Sequence, residues 1–375
     1  METEHLPMDT DVFVVGGGPA GLAAAIAARA KGLRVIVADA ARPPIDKACG
    51  EGLMPDSLQA LSQLGIVLDP DASFPFTGIR FANSAGRVQA RFPSGVGRGV
   101  RRPVLHNVLA ERAQETGAVL LWGRRVIGIG SHSVNLDGET IRCQWIIGAD
   151  GQNSRIRAWA GLDQRRSESR RFGFRRHYRV APWTDFMEIY WGLDCQLYIT
   201  PVSPYEVCVA LISRHSHHRL DSVLEDFPDV QRRLRGTTYT SQIRGAVSAS
   251  RSLRRVTRGC VALVGDASGS VDAITGDGLY LAFRQTAALA DALAKGSLEG
   301  YQKQHNRFFR RPALISRLLL LLDEHPWLRN RVLPALSENP AIFQRMLAMH
   351  VGESSHTAFA LDAILPLGWQ LIQPR

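Results

Sequence analysis

The chain has 375 residues, of which 45% are hydrophobic and 21% charged, the composition of a globular protein with a large core and not of a disordered one. Its formal net charge is +10, but no motif for reading nucleic acid accompanies the arginines, so we interpret the charge as a solvated basic surface and expect no nucleic-acid partner. The five cysteines include no CxxC pair, the first residues carry no secretory signal and no stretch is apolar enough to cross a membrane, which predicts a cytoplasmic protein without disulfides or a metal site.

A βαβ pattern with a glycine-rich turn begins the chain. A short apolar strand over residues 11–15 leads into Gly-x-Gly-x-x-Gly and an alanine-rich helix over about 19–31, and a second strand ends in an aspartate. The first glycine permits a tight turn, the second lets the backbone approach a pyrophosphate, and the third lets the helix pack on the strand. The helix N-terminus offers N–H groups to phosphates, and the aspartate suits ribose hydroxyls. We therefore predict a dinucleotide site formed by Gly16, Gly18, Pro19, Ala20, Gly21 and Asp39.

The middle of the chain has the pattern of strands. Residues 79–92 have the pattern of a hairpin, a helix is predicted over 104–116, and a buried strand ends near residue 148. From about 171 to 213 apolar and polar residues alternate, which predicts a separate, mostly antiparallel sheet. Residues 279–375 are predicted to be mostly helical, with breaks at prolines 312, 326, 334, 340 and 366.

A second glycine-rich segment, residues 265–278, follows the last predicted strand, 260–264. The carboxylate of Asp266 suits the hydroxyls of a polyol, and the helix that begins near Leu279 can direct N–H groups at negative charge on a reduced flavin ring. An isolated Gly-Asp pair is otherwise typical of an ordinary turn. Together the two glycine-rich segments indicate a long cofactor, FAD rather than NAD.

Three motifs carry a resemblance to a known family: the βαβ start, the segment 148–157 with its Asp-Gly pair, and the segment 265–278. The whole chain resembles the FAD-dependent oxidoreductases of the hydroxybenzoate-hydroxylase-like and geranylgeranyl-reductase-like family. The resemblance implies an α/β, glutathione-reductase-like FAD-binding fold with an inserted, mostly antiparallel β-sheet substrate domain and a helical C-terminus. On this basis we expect three parts of the chain. The FAD-binding domain is discontinuous and comprises residues 1–78, 100–165 and 258–312. The substrate domain comprises residues 79–99 and 166–257, and the C-terminal helical segment comprises residues 313–375.

The resemblance also implies non-covalent FAD, NAD(P)H as its reductant, and positions for further contacts. Arg102 stands where the family has an arginine that contacts phosphate, with Arg101 as the competing candidate, and Val126 stands on the strand that contacts adenine. Asp266 corresponds to the aspartate that holds the ribityl chain. The implied cofactor residues beyond the first turn are Arg102, Val126, Asp150, Asp266, Gly276 and Gly278.

Two catalytic candidates come from the same resemblance. Cys49-Gly50-Glu51 is similar to the Cys-Gly-Gly segment that lies beside the flavin in geranylgeranyl reductases, with Glu51 in place of the second glycine. The alternatives are a buried Cys49 with no redox role and a Glu51 that caps a helix starting near Pro55. The histidines of residues 215–218 are interpreted as part of an exposed loop and not as a metal site.

The segment that faces substrate in these relatives departs from their pattern. Gly269 replaces the histidine usual in aromatic hydroxylases, which favours the reductase-like branch. Residues 198–201, however, take the place of a Tyr-x-Trp-x-Phe-Pro strand and lack its tryptophan and phenylalanine, which weakens the case for isoprenoid reduction. The main hypothesis is therefore a monooxygenase that hydroxylates an aromatic or polyketide-like lipophile. The alternatives are a reductase for carbon–carbon double bonds of a prenyl lipid and a non-catalytic escort protein, which the intact Asp39, Asp150 and Asp266 disfavour.

An apolar run over residues 314–322 is predicted to pack on the core or to line an elongated substrate cavity. Arginines flank it, so a peripheral contact with anionic lipid stays open as the alternative. The sequence does not fix the oligomeric state.

Overall fold

The structure is a computed structural model that describes residues 9–84 and 86–353. Its helices are α1 Pro19–Arg29, α2 Pro55–Ser62, α3 Arg102–Glu115, α4 Arg155–Trp159, α5 Leu220–Val223, α6 Pro228–Leu234, α7 Gly278–Ala294, α8 Glu299–Glu324, α9 Pro326–Glu338 and α10 Pro340–His350. Its strands are β1 Asp9–Val15, β2 Val35–Asp39, β3 Gly52–Leu53, β4 Phe74–Phe76, β5 Gly78–Asn83, β6 Gly86–Arg91, β7 Gly97–Gly99, β8 Val119–Trp122, β9 Val126–Gly130, β10 Ser133–Leu136, β11 Glu139–Gly148, β12 Arg165–Tyr178, β13 Phe186–Trp191, β14 Cys195–Ser203, β15 Glu206–Ser213, β16 Arg244–Leu253, β17 Thr257–Arg258 and β18 Val261–Leu263.

The first large sheet has the strand order β17-β18-β11-β1-β2-β8. Its central strands β18, β11, β1, β2 and β8 pair in parallel, while β9 and β10 continue from β11 as an antiparallel ribbon. Strand β1 is apolar on both faces because α1 and α3 pack with it in one core, and Val12, Phe13 and Val14 are fully buried. The predicted βαβ start is confirmed.

The second large sheet has the strand order β16-β12-β15-β14-β13-β5-β6. All of its neighbouring strands pair antiparallel except β13 and β5, which pair in parallel. The hairpin formed by β5 and β6 thus joins strands that are nearly a hundred residues further along the chain. The expected mostly antiparallel sheet is confirmed, and the division of the chain into domains stays a prediction.

Helices α8, α9 and α10 pack in one core with β5, β6 and β13. A buried ion cluster ties these layers together: Arg171 on β12 donates to Asp272 at 3.0 Å and to Asp323 on α8 at 2.9 Å. The helical C-terminus is confirmed as far as His350, where α10 ends, and residues 354–375, with the proline at 366, lie outside the described residues.

Two of the predicted helix breaks are wrong. Pro312 lies inside α8 and Pro334 inside α9, whereas Pro326 and Pro340 begin helices. A proline inside a helix costs about 3 kcal/mol because it removes one hydrogen bond and crowds the preceding turn. Burial of the apolar faces of α8 and α9 against the sheet offsets that cost.

Candidate functional site

One cavity of about 740 Å³ joins the two large sheets and the C-terminal helices. Every residue predicted to bind the cofactor lines it, except Gly21, which lies beneath the first glycine turn. Both catalytic candidates, Cys49 and Glu51, also line the cavity. Two segments that are about 250 residues apart in the sequence therefore meet at one site, because β1 and β18 end at the same edge of the parallel sheet.

The first glycine turn has almost no room for side chains on its inner side. A Cβ on Gly16 would lie 2.4 Å from the carbonyl oxygen of Ala149, and one on Gly21 would lie 1.8 Å from the carbonyl oxygen of Gly16. A Cβ on Gly18 would meet nothing within 4 Å. The turn is thus packed tightly below and open above, the geometry that lets a phosphate approach the backbone at the N-terminus of α1.

Two residues that the sequence did not suggest support this turn from below. The imidazole of His106 on α3 is fully buried and its Nε2 donates to the carbonyl oxygen of Gly17 at 2.9 Å. The ring of Trp122 at the end of β8 fills the space where a side chain of Gly17 would stand, 2.3 Å from that Cβ position. Burial lowers the pKa of His106, so it supports the turn as a neutral ring.

The carboxylate of Asp39 is held in place by backbone N–H groups. It accepts hydrogen bonds from Gly17 and Ala41, each at 2.7 Å. Each oxygen keeps a further lone pair for a ligand hydroxyl. Asp150 is held similarly, since one of its oxygens caps α4 by accepting from Arg155 N at 2.7 Å, while the other is buried without a hydrogen-bond partner among the described residues.

The two arginines at the start of α3 differ in their partners. Arg101 pairs with Glu206 at 3.1 Å. Arg102 lines the cavity, and its Nε is buried without a partner in the described part of the chain. These contacts favour Arg102 over Arg101 as the group that contacts phosphate.

The second glycine-rich segment lines the same cavity as the first glycine turn. Asp266 lines the cavity beside Lys47, whose Nζ lies 3.3 Å from its carboxylate. Gly276 has a φ of 73°, which favours glycine, and Gly278 begins α7 with nothing within 4 Å of its Cβ position. The first-turn N–H groups of α7 have no partner within the helix, and Gly278 and Leu279 at its start line the cavity.

These features fit FAD. An open glycine turn at a helix N-terminus suits the pyrophosphate, and Asp39 suits a ribose. The unpaired Nε of Arg102 and the unpaired carboxylate oxygen of Asp150 can form hydrogen bonds with the polar groups of the cofactor. Asp266 and the start of α7 suit the ribityl chain and a flavin ring. FAD, when bound, supplies electron and hydride transfer that no side chain of the cavity can perform.

Glu51 is the most constrained acid of the cavity. Its φ is 59°, in the left-handed region, and only 2% of its surface is exposed. One carboxylate oxygen accepts from the backbone N–H of Arg102 at 2.9 Å, and the other lies 2.6 Å from Nε2 of His177 on β12. Glu51 thus caps α3 and not the helix near Pro55, where Met54 precedes the first turn without a side-chain cap.

A fully buried arginine accompanies this acid. Arg175 lines the cavity, pairs with Asp46, and places its Nη2 3.7 Å from Glu51. Its Nη1 lies 3.2 Å from Nδ1 of His177. Neither Arg175 nor His177 carries a signal in the sequence, since they stand in an arginine-rich strand and only the register of β12 turns them toward Glu51.

A second polar cluster lies where α7, α8 and α10 meet. His350 and Asp277 line the cavity, with Nε2 of the histidine 3.7 Å from the carboxylate. Burial raises the pKa of Asp277 to about 7 and lowers that of His350 to about 4. Behind them Arg311 pairs with Asp56 at 2.6 Å, and burial raises the pKa of Asp56 to about 6.

The part of the cavity that β5, β13 and α8 line is apolar. Tyr198 on β14 is held as part of the wall, because its hydroxyl donates to the carbonyl oxygen of Ile274 at 2.7 Å. The run predicted to pack on the core or line a cavity contributes Ile315, Leu318 and Leu319. The remaining apolar lining includes Met54, Ile79, Phe81, Met187, Ile189, Ala210, Ile212, Phe343, Met346, Leu347 and Met349.

Among the described residues one cluster has donor atoms spaced for a metal ion: those of Glu51, His177 and Cys208 lie within 4.8 Å of one another. Burial raises the pKa of the Cys208 thiol well above its usual range, and the guanidinium of Arg175 adjoins the cluster. A thiol and a neighbouring positive charge both oppose a cation. In the 215–218 segment His217 is exposed and the other two histidines are half-buried.

None of the helices in residues 9–353 is both long and apolar enough to span a membrane.

Comparison with known proteins agrees with the cofactor site. The profile of a family described as FAD binding domain matches residues 9–305. A menaquinone reductase from Mycolicibacterium smegmatis is 27% identical over 346 residues, which cover 83% of this chain and 84% of that protein. A digeranylgeranylglycerophospholipid reductase from Methanothrix thermoacetophila is 25% identical over 342 residues, covering 80% and 83%.

Two further matches extend the comparison. A rifampicin monooxygenase from Rhodococcus hoagii is 30% identical over 158 residues, covering 40% of this chain and 33% of that protein. The crystal structure of a flavoprotein/dehydrogenase from Cytophaga hutchinsonii superposes with a TM-score of 0.81 and 16% identity, covering 96% of this chain and 98% of that one. The shared fold extends over both sheets and the C-terminal helices.

The fold and the cavity define a flavoprotein oxidoreductase. The chain belongs to the FAD binding domain family, whose match spans both glycine-rich segments. It is an FAD-dependent enzyme similar to flavin monooxygenases and to reductases of the geranylgeranyl type, as its sequence motifs predicted. The individual site residues stay predictions that the geometry supports.

Proposed function

We propose that this flavoenzyme takes reducing equivalents from NAD(P)H and hydroxylates an aromatic or polyketide-like lipophile. The observation that carries the proposal is the two-part character of the cavity. Hydrogen-bonding groups, Glu51 and Arg175, stand beside the loops that would hold the flavin ring, and an apolar channel leads from them to α8 and α10. Such a cavity suits an amphiphile whose polar ring lies at the flavin and whose tail occupies the channel.

Each part of the wall has a role in this reaction. The backbone of residues 49–52 and the start of α7 orient the ring, and Glu51 can hold a proton or accept one from a phenolic hydroxyl. Ile315, Leu319 and Phe343 bind the tail and exclude water, which protects reactive oxygen chemistry from side reactions. Tyr198 keeps the second glycine-rich segment fixed against β14.

A second candidate is reduction of carbon–carbon double bonds in a prenyl lipid. The observation that favours it is the extent of the matches, since the menaquinone reductase and the digeranylgeranylglycerophospholipid reductase align over more than four fifths of their own length. The rifampicin monooxygenase aligns over a third of its length. An apolar channel of this kind also suits an isoprenoid chain.

The experiment that separates these functions is anaerobic reduction of the FAD-loaded protein by NADH or NADPH, followed by air. With a long-chain alkylphenol as probe, we expect substrate-stimulated oxygen uptake and a product heavier by one oxygen atom. Oxygen-independent saturation of menaquinone would instead establish the reductase and refute hydroxylation. A colourless protein that takes up no FAD would refute both functions and favour an escort role.

A lipid-surface contact is the remaining part of the proposal. The arginines of α8 that precede the apolar run include Arg311, which is already paired with Asp56 and stacks on Tyr280. Trp327 and Leu321 are 64% and 46% exposed on the same C-terminal helices. Co-sedimentation of the protein with vesicles containing anionic lipid, lost in Trp327→Ala, tests this contact.

A further inference from the structure

We propose that Ser241, His177 and Glu51 form a proton relay that carries one proton from solvent to the reaction cavity. The inference deepens the proposed function and rests on it only for the identity of the proton acceptor. Glu51 is the catalytic end of the relay because it lines the cavity, while His177 and Ser241 act through it.

The relay is a continuous chain of short hydrogen bonds through the protein interior. Oγ of Ser241 lies 2.7 Å from Nδ1 of His177, and Nε2 of His177 lies 2.6 Å from the carboxylate of Glu51. His177 is fully buried and Glu51 nearly so, whereas Ser241 is half-buried in a loop that precedes β16. Tyr239 next to this loop is 59% exposed, so the outer end of the chain lies near bulk water.

The surrounding donors fix the direction in which the hydrogen bonds point. The backbone N–H of His177 donates to Oγ of Ser241 at 3.1 Å, which leaves the hydroxyl hydrogen free to donate to Nδ1. Arg175 has only donors, and its Nη1 approaches the same Nδ1 at 3.2 Å. Nδ1 is therefore an acceptor, so the proton of the neutral ring is on Nε2 and points at Glu51. Every donor in the chain points from the loop toward the cavity.

Two arginines and one aspartate accompany the relay. Arg175 lies beside His177 and Glu51 and pairs with Asp46, and Arg244 lies 3.4 Å from the same aspartate. The thiol of Cys208 lies beside His177 and Glu51, and Sγ of Cys49 accepts the backbone N–H of Glu51 at 3.4 Å. Because Nδ1 faces the guanidinium of Arg175 and Nε2 faces the carboxylate of Glu51, a proton that enters from Ser241 moves on toward Glu51.

The backbone at Glu51 supports a functional carboxylate at this position. A non-glycine residue at a φ of 59° is strained, and such strain concentrates at active sites. Glycine would adopt this conformation without strain.

Both reactions considered for the cavity consume one proton from solvent. Hydroxylation converts NAD(P)H, O₂, a proton and R–H into NAD(P)⁺, water and R–OH. Reduction of a double bond converts NAD(P)H, a proton and C=C into NAD(P)⁺ and CH–CH, in which one new C–H bond receives the hydride and the other the proton. The carboxylate of Glu51 takes the proton of Nε2 as Nδ1 takes the hydroxyl proton of Ser241, and the oxygen of Ser241 takes a proton from solvent water. Glu51 then gives its proton to the reacting group in the cavity.

The test uses full-length, FAD-loaded protein that is reduced with dithionite and mixed with oxygen, so that it depends neither on NAD(P)H nor on the substrate. Return of the protein to the oxidised state gives hydrogen peroxide and takes up a proton. We expect Glu51→Gln to slow this step about a hundredfold and to abolish its pH dependence and solvent isotope effect. His177→Ala should be equally slow and should be rescued by added imidazole.

The matched control is Glu188→Gln. Glu188 is equally buried, on β13 of the same sheet, but it pairs with Arg80 and does not line the cavity. It should reoxidise like the wild type. A wild-type rate and pH profile in Glu51→Gln, or no rescue of His177→Ala by imidazole, would overturn the relay, whereas failure of NAD(P)H to reduce the flavin would overturn only the proposed function.

A second measurement is independent of FAD. Nitrogen NMR of histidine-labelled full-length protein, with His177→Gln to assign the signal, reports which ring nitrogen carries the proton. We expect the Nε2–H form. An Nδ1–H form would reverse the direction of the hydrogen bonds. A shift of this signal on addition of Zn²⁺ at micromolar concentration would instead show that the cluster binds a metal. Either result would overturn the relay.

Discussion

The acid at the start of α7 makes the stability of this protein depend on pH in a direction that can be tested. Asp277 is 3% exposed, and burial raises its pKa from 3.8 to about 7. In the unfolded chain it ionises near pH 4, so between pH 4 and pH 7 the folded state holds a proton that the unfolded state has lost. Stability from this group is therefore complete below pH 4 and falls until the pH passes 7.

The size of the effect follows from the two pKa values. Each pH unit between them corresponds to about 1.4 kcal/mol, so ionisation of Asp277 costs the folded state about 4 kcal/mol by pH 8. Asparagine has the shape of the protonated acid and cannot ionise. We expect Asp277→Asn to be more stable than the wild type by about 2 kcal/mol at pH 5, where only the unfolded wild type has ionised, and by about 4 kcal/mol at pH 8.

Equilibrium unfolding in urea at the two pH values, followed by flavin and tryptophan fluorescence, measures the difference. The control is Asp229→Asn, because Asp229 is exposed on α6 and should show the same small offset at both pH values. An offset of Asp277→Asn that does not change between pH 5 and pH 8 would refute the reasoning, since burial would then not govern its ionisation. Asp56, with a pKa of about 6, adds a smaller dependence of the same sign in both proteins.

Three further outcomes are expected. Gly21→Ala places a Cβ 1.8 Å from a backbone oxygen of the glycine turn, so the purified protein should lack the flavin absorbance; full FAD content would exclude the turn from the site. Asp266→Ala should weaken FAD binding about tenfold or more in a flavin-fluorescence titration, and unchanged affinity would remove this aspartate from the site. Arg171→Met removes the arginine that joins the buried carboxylates of Asp272 and Asp323, and among the described residues only Asp323 keeps a cation, Arg214 at 3.6 Å. The substitution should cost about 3–5 kcal/mol of unfolding free energy; adding the asparagine substitutions at both acids should restore much of it, and no recovery would contradict the ion cluster.

The cofactor half of the site was predictable because its geometry is encoded locally. In the turn after β1, Gly16 and Gly21 have no room for a side chain, and Gly18 leaves the backbone open to a phosphate. The spacing of these three glycines can be recognised from the sequence alone. The second segment is equally local, since Asp266 and the start of α7 lie within a dozen residues of each other. Only the proximity of the two segments depends on the fold, and it follows from the rule that parallel strands end at the same edge of a sheet.

The residues that pack beneath the first glycine turn could not be predicted from the sequence in the same way. His106 and Trp122 act on the glycine turn from α3 and β8, and nothing in their neighbourhoods in the sequence distinguishes them from ordinary core residues. The predicted breaks at Pro312 and Pro334 failed for a related reason. The intrinsic cost of a proline is local, but the packing energy that overrides it comes from residues far along the chain.

The substrate part of the cavity depends almost wholly on contacts between residues that are far apart in the sequence. Glu51 is an exception, because part of its role can be recognised from the sequence. The partner that gives this acid its chemistry, His177, is 126 residues away, on a strand whose register alone decides which side chains face the cavity. What the sequence did contain was a glutamate where a relative has glycine. Because the backbone there adopts a φ of 59°, the substitution costs conformational energy that glycine would not. A residue with a strained backbone at a position that lines the cofactor cavity is itself an indication of function. The hydrogen bonds that Glu51 accepts from His177 and Arg102 hold its carboxylate at the cavity, where it can carry a proton.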